Sequence, residues 1–179
     1  MSAESDRLLL QALQARRENR LNDAERDMVE VVGLGRKAGT RIELAKALTS
    51  LGQIERDLRR PDIARQHYEE AATLYRAEGD VLKLAHTIRH LGDIHRDEGR
   101  PELAEPCYHE ALELYRGHAQ TPPLELANAI RGLALLKDDA GEVDEARLLW
   151  QEARDLYLSV NVEAGVAECS RRIERLELG

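Results

Sequence analysis

The feature that most constrains this chain is an internal repeat with a step of about 40 residues. Leu44-Ala45 recurs as Leu84-Ala85, Leu126-Ala127 and Val166-Ala167, at steps of 40, 42 and 40. Aligning 44–79 with 84–119 gives 16 identities in 36 positions, including Leu51/Leu91, Gly52/Gly92, Asp57/Asp97, Pro61/Pro101, Tyr68/Tyr108 and Tyr75/Tyr115. A third copy carries Leu133, Ala134, Gly141, Ala146, Trp150, Ala153 and Tyr157 at the same offsets. A weaker one precedes them, with Ala24, Met28, Val31 and Gly39. A fixed period of this size marks a chain built from stacked supersecondary units.

Each unit reads as two helices. Leu84, Ile88, Leu91 and Ile94 follow steps of three and four, which places them on one helical stripe. Pro101 stands just after Gly99-Arg100, where a helix tolerates proline in its first turn. The second helix, about 101–116, repeats the spacing with Ala104, Tyr108, Ala111 and Leu114. Gly39, Gly79 and Asn161 fall where a left-handed residue would end a helix. Gly52, Gly92 and Ala134 would let paired helices approach closely. Pro106 interrupts one second helix, and Pro122-Pro123 with Gln120-Thr121 forms the longest connection. The expected domain is single, 1–179, with repeats at about 4–40, 41–80, 81–121 and 122–161 and a cap helix over 162–178.

Composition supports this. The chain has five Tyr, one Trp and no Phe, yet 42% of its residues are hydrophobic and 34% are charged. A large sandwich or barrel core would need more aromatic area, whereas helical arrays are rich in Leu, Ala and charge. All six aromatics occupy repeat-equivalent second-helix positions: Tyr68, Tyr108 and Trp150 in one column, Tyr75, Tyr115 and Tyr157 in the other. That placement reads as packing rather than base stacking. A formal charge of −8 argues against a nucleic-acid coat. No apolar run approaches the roughly 20 residues of a membrane span. Met1-Ser2-Ala3-Glu4 does not open a secretory leader, and two cysteines 62 residues apart suit a reducing, cytoplasmic setting.

The steps Leu91-Gly92, Ala104, Tyr108 and Ala111, repeated as Leu51-Gly52, Ala64, Tyr68 and Ala71, resemble the signature of the tetratricopeptide repeat family. The 40-residue period resembles the longer-helix subtype of kinesin light chains and bacterial regulators. The resemblance covers about 6–178, although Gln11-Ala12 replaces Leu-Gly in the first copy. It implies an all-α fold, an α-α superhelix (solenoid) of four helix pairs plus a C-terminal cap helix, with a concave groove lined by the first helices. The family's groove positions fall on Lys46, Thr49, Gln53 and Arg56, then His86, Arg89, Asp93 and Arg96, then Asn128 and Arg131, and finally Arg171 and Arg175. Leu135, Asp138, Glu168 and Leu178 complete the stripe. The family's chaperone-binding clamp has no counterpart, since its positions fall on Thr49, Gln53, His90, Asn128 and Gly132.

Seven basic and three acidic residues stand on that stripe. Arg16, Arg56 and Arg96 form one ladder, and Arg89, Arg131 and Arg171 another. Arginine forks suit carboxylates or phosphates, so one reading is a groove for an acidic peptide of another protein. In the other, neighbouring acids such as Asp57, Asp97, Asp93 and Asp139 neutralise the ladder internally. Catalysis is not expected. His86 and His90 have zinc-like spacing but no third ligand, and Cys107 and His109 do not share a helix face closely enough for a dyad. No cofactor or metal is expected. The favoured function is a non-catalytic protein–protein interaction scaffold; the alternatives are a ligand-responsive regulator and, less favoured, a helical-repeat enzyme.

Overall fold

The computed structural model describes residues 3–178, the side chain of Ala38 excepted. Met1 and Ser2, which bear on the leader reading, lie outside the described residues. Those described form nine helices: α1 (Ala3–Arg17), α2 (Leu21–Ala38), α3 (Arg41–Asp57), α4 (Pro61–Glu78), α5 (Val81–Asp97), α6 (Pro101–Arg116), α7 (Pro123–Asp139), α8 (Val143–Ser159) and α9 (Glu163–Leu178). There is no strand among them. The odd-numbered helices are the first helices of the repeat and α9 is the cap. This is an all-α helical-repeat fold, and none of the helices is long and apolar enough to cross a membrane.

The chain divides into two compact units, one up to Thr87 and one from Ile88, so that α5 contributes to both. In the first unit α1 packs on α2, α2 on α3 and α3 on α4. Its interior is formed by Ala12, Ala24, Met28, Val31, Leu48, Leu51, Ile54, Ala64, Tyr68 and Tyr75, all buried. In the second unit α6 packs on α7, α7 on α8 and α8 on α9. Tyr108, Tyr115, Ile130, Leu133, Trp150, Tyr157, Cys169 and Ile173 fill it. Every aromatic is buried, as the column pattern implies, and each supplies a large apolar area to its helix pair.

Local chemistry explains the breaks. Pro61, Pro101 and Pro123 stand in the first turns of α4, α6 and α7, where their missing N–H loses nothing. Thr40 caps α3 through a reciprocal pair: its hydroxyl accepts from the Glu43 N–H at 3.2 Å, and Glu43 accepts from the Thr40 N–H at 2.9 Å. Gly79 and Asn161 are left-handed, with φ of 71° and 57°.

Gly39 departs from that expectation. Its backbone is extended, with φ −81° and ψ 161°, because the next residue already serves as the cap of α3. What requires glycine there is proximity, since a Cβ would lie 2.7 Å from the Gly35 carbonyl oxygen. Left-handed residues do recur inside each helix pair, at Asn19, Arg59, Gly99 and Gly141. α6 runs through Pro106 without interruption.

The expected small-residue contacts are present. A Cβ on Gly52 would stand 3.0 Å from the Tyr68 ring, and one on Gly92 3.0 Å from the Tyr108 ring. Two further glycines receive the aromatic of the preceding second helix. Gly132 cradles the opposite side of Tyr108, and a Cβ on Gly165 would lie 2.6 Å from Tyr157.

Candidate functional site

In the first unit, the first-helix face carries Lys46, Thr49, Gln53, Arg56 and His86. Thr49 is buried, and its hydroxyl donates to the Ala45 carbonyl at 2.9 Å. It therefore serves the interior. Gln53 accepts from Arg16 Nη1 at 2.9 Å, while Arg16 Nε donates to Asp57 at 2.7 Å. His86 Nε2 lies 3.5 Å from Gln53 Nε2. Arg56 is half-buried, and Lys46 is exposed and carries no ion pair among the described residues.

In the second unit, Arg89 and Asp93 are buried together, 9% and 8% exposed, which removes them from any open surface. Arg89 Nη1 donates to Asp93 Oδ2 at 3.0 Å, and the Tyr108 hydroxyl donates to Asp93 Oδ1 at 2.9 Å. His90 Nδ1 stands 3.3 Å from the same carboxylate. Burial, followed by the Asp93 charge, pushes the Tyr108 phenol far above its ordinary value, so it stays a donor. Arg96 forks onto Asp97, with the shorter bond 2.7 Å.

The wall continues on α7 and α9. Asn128 Oδ1 accepts from the Tyr157 hydroxyl at 2.8 Å, and burial pushes that phenol up to about 12. Arg131 holds Glu168 with two parallel bonds, Nε to Oε2 at 2.7 Å and Nη2 to Oε1 at 2.8 Å. This hydrogen bonding from Arg131 keeps the Glu168 carboxyl below the usual range against the opposing effect of burial. Arg175 pairs with Asp138, and Arg172 reaches the same oxygen at 3.2 Å while its guanidinium stands 5.6 Å from the Trp150 ring centroid. Arg171 is exposed and carries no ion pair among the described residues.

The arginine ladders are thus mostly matched by carboxylates, some within one helix and some across helices. Glu168 and Asp138 answer across helices, Asp57 answers Arg16, and Arg89 takes Asp93 within one turn. With the neighbouring acids counted alike, the second unit's wall sets six arginines (89, 96, 131, 171, 172 and 175) against five carboxylates (93, 97, 138, 139 and 168), so it is close to neutral overall.

The groups considered for chemistry are placed otherwise. His109 turns toward Glu105, 3.5 Å away, while Cys107 is half-buried and burial pushes its thiol up. Cys169 is buried, its thiol pushed up to about 11 by burial. A raised thiol is a poor nucleophile. Among the described residues, no group of three or more His, Cys, Asp or Glu side chains could hold a metal ion.

Comparison with known proteins gives a consistent family and fold. The tetratricopeptide repeat family model matches residues 43–117. No curated protein matches the chain. Among solved structures, BtubC (BKLC) from P. vanneervenii aligns with a TM-score of 0.73 at 18% identity, covering 97% of this chain and 79% of that one. Aspartyl phosphate phosphatase F from Bacillus subtilis aligns at 0.84 with 13% identity, and the apo form of RapI at 0.84 with 9%. Both cover 93% of this chain, which spans only 43% and 60% of their own lengths. At such identities the likeness is one of fold. Residues 43–117 match the tetratricopeptide repeat model, and the helix pairs on either side are built on the same period.

Proposed function

We propose that this chain is a non-catalytic protein–protein interaction module that takes an acidic peptide segment of a partner along its first-helix faces. The tetratricopeptide repeats support an interaction scaffold in general. The acidic preference rests chiefly on one observation, the exposed guanidinium of Arg171, which has no ion pair among the described residues, on a chain with a formal charge of −8. An exposed guanidinium without an ion pair attracts carboxylates and repels basic segments. Lys46 supplies a comparable open charge in the first unit.

The test compares two synthetic peptides of equal length, one rich in Glu and one rich in Lys, by fluorescence anisotropy at about 50 and 300 mM salt. Exposed charge contacts are screened over about 10 Å at 0.1 M salt, over longer distances below that and shorter ones above it. The acidic peptide should bind tighter by at least about tenfold, weaken with salt, and lose affinity in a Lys46→Glu, Arg171→Glu double variant. Reversals at Arg89 or Asp93 would report on the buried network instead. Equal binding of both peptides, unaffected by the double variant, would reject the reading.

A further inference from the structure

Glu168 and Asp138 are themselves carboxylates seated on the arginines of the proposed surface. The Arg131–Glu168 pair has the two-bond fork by which an arginine receives any carboxylate. Next to it, Ala164, Glu168, Arg171, Arg172 and Arg175 line an open depression of about 400 Å³ on α9. Arg171 faces this space with no ion pair among the described residues, although its charge also acts on Glu168. Arg172 and Arg175 converge on a single oxygen of Asp138, whose side chain is 4% exposed. The pattern is a receptor for carboxylates that is half filled from within.

We infer that the α7–α9 wall is a carboxylate subsite in which Arg171 is the open receptor and Glu168 occupies Arg131 as an internal stand-in for a ligand carboxylate. This rests on the acidic-peptide reading above and adds where the acid docks and what competes with it. An incoming Glu or Asp side chain bonds first to Arg171. A second carboxylate on the same peptide then displaces Glu168 from Arg131, exchanging one fork for another. Because the fork is exchanged rather than created, Arg131 adds little net affinity while Glu168 stays charged. Glu168 therefore sets a threshold that favours peptides bearing at least two acids in reach of both arginines. Carboxylate is favoured as the ligand group because Arg131 already holds one in a two-bond fork and Arg172 and Arg175 hold another.

Binding of a decapeptide with four glutamates, and of its all-glutamine counterpart, should be measured on wild type and three variants whose unperturbed melting is checked first. Arg171→Ala should weaken the acidic peptide about tenfold, which corresponds to about 1.4 kcal/mol. Glu168→Gln should tighten it about threefold or more, because the stand-in loses its charge. Glu174→Gln, which removes one exposed acid elsewhere on α9, should stay within about twofold and so excludes a general charge effect. If wild type prefers the acidic peptide while Arg171→Ala and Glu168→Gln both bind it like wild type, the subsite is wrong and the broader reading survives. If wild type does not distinguish the two peptides, both fall.

Discussion

Replacing Gly132 with valine is expected to destabilise the protein by about 3 kcal/mol, at the upper end of the usual cost of overpacking a close-packed interior. The Tyr108 ring is fully buried and fitted between Gly92 of α5 and Gly132 of α7. A Cβ at either site would press on the ring. Tyr108 cannot yield, because its hydroxyl is tied at 2.9 Å to Asp93, which in turn holds Arg89. The added side chain must part α7 from α6 or break that buried network, and a broken network leaves polar groups without partners. For a chain of this length the cost corresponds to a fall of on the order of 8 °C in melting temperature. Gly33→Ala is the control. It is also a helical glycine, but a Cβ there meets nothing within 4 Å, so the change should stabilise by about 0.5–1 kcal/mol through helix propensity. Thermal melts of both variants test the pair; an unchanged melt for Gly132→Val would refute the cradle.

Reversing Lys137 to glutamate should cost about 2–3 kcal/mol at neutral pH. The Lys137 side chain is 9% exposed and sits among Glu105 at 2.6 Å, Glu142 at 3.0 Å and Glu145 at 3.5 Å. Breaking a buried ion pair typically costs about 3–5 kcal/mol. The three carboxylates keep 39–48% exposure, so their hydration moderates that figure. The pH dependence carries a sharper signature. Hydrogen bonding from Lys137 holds the Glu105 carboxyl below its ordinary value. In wild type this pair therefore stabilises above the unfolded carboxyl value near pH 4.3 and the contribution is lost as pH falls through the lower folded value. In the variant four carboxylates crowd together, which raises their folded values. Acidification then favours the folded state, and the deficit should shrink between about pH 6 and 4. Urea denaturation at several pH values reads both signs. A deficit that stays constant or grows on acidification would contradict the arrangement.

The fold was legible in the sequence because a repeat states each rule several times. The 40-residue step, the first-turn prolines and the aromatic columns each recur, and the helices and buried residues fall where those recurrences put them. What escaped the sequence was mostly decided by single contacts. Gly39 has the composition of a left-handed terminus, but the cap at Thr40 follows at once and pulls it into an extended path. Arg59 is left-handed because it shares a turn with Gly99 and Gly141, a match the alignment contained. Gly132 and Gly165 fit no periodic rule within their own helix; each answers an aromatic from the preceding second helix.

The site was legible as a set of positions and less so as a pattern of charge. Spacing marks Arg131 and Glu168 as members of one face but does not show that they fork onto each other. Likewise, Asp138 rather than Asp139 answers Arg175, because only Asp138 is turned inward to 4% exposure. Arg89 and Asp93, which look like groove charges, are fastened to Tyr108 in the interior. Of the stripe's charges, Lys46 and Arg171 are the exposed ones with no ion pair among the described residues.

Whether the first helices form the ligand face is read by photo-crosslinking the protein to an acidic peptide that carries a photoreactive group, followed by mass spectrometric mapping. Cross-links should fall on α3, α5, α7 and α9, with residues around Arg171 prominent, and should vanish when excess unlabelled acidic peptide is present. Cross-links concentrated on α4, α6 and α8, or undiminished by that competitor, would contradict it.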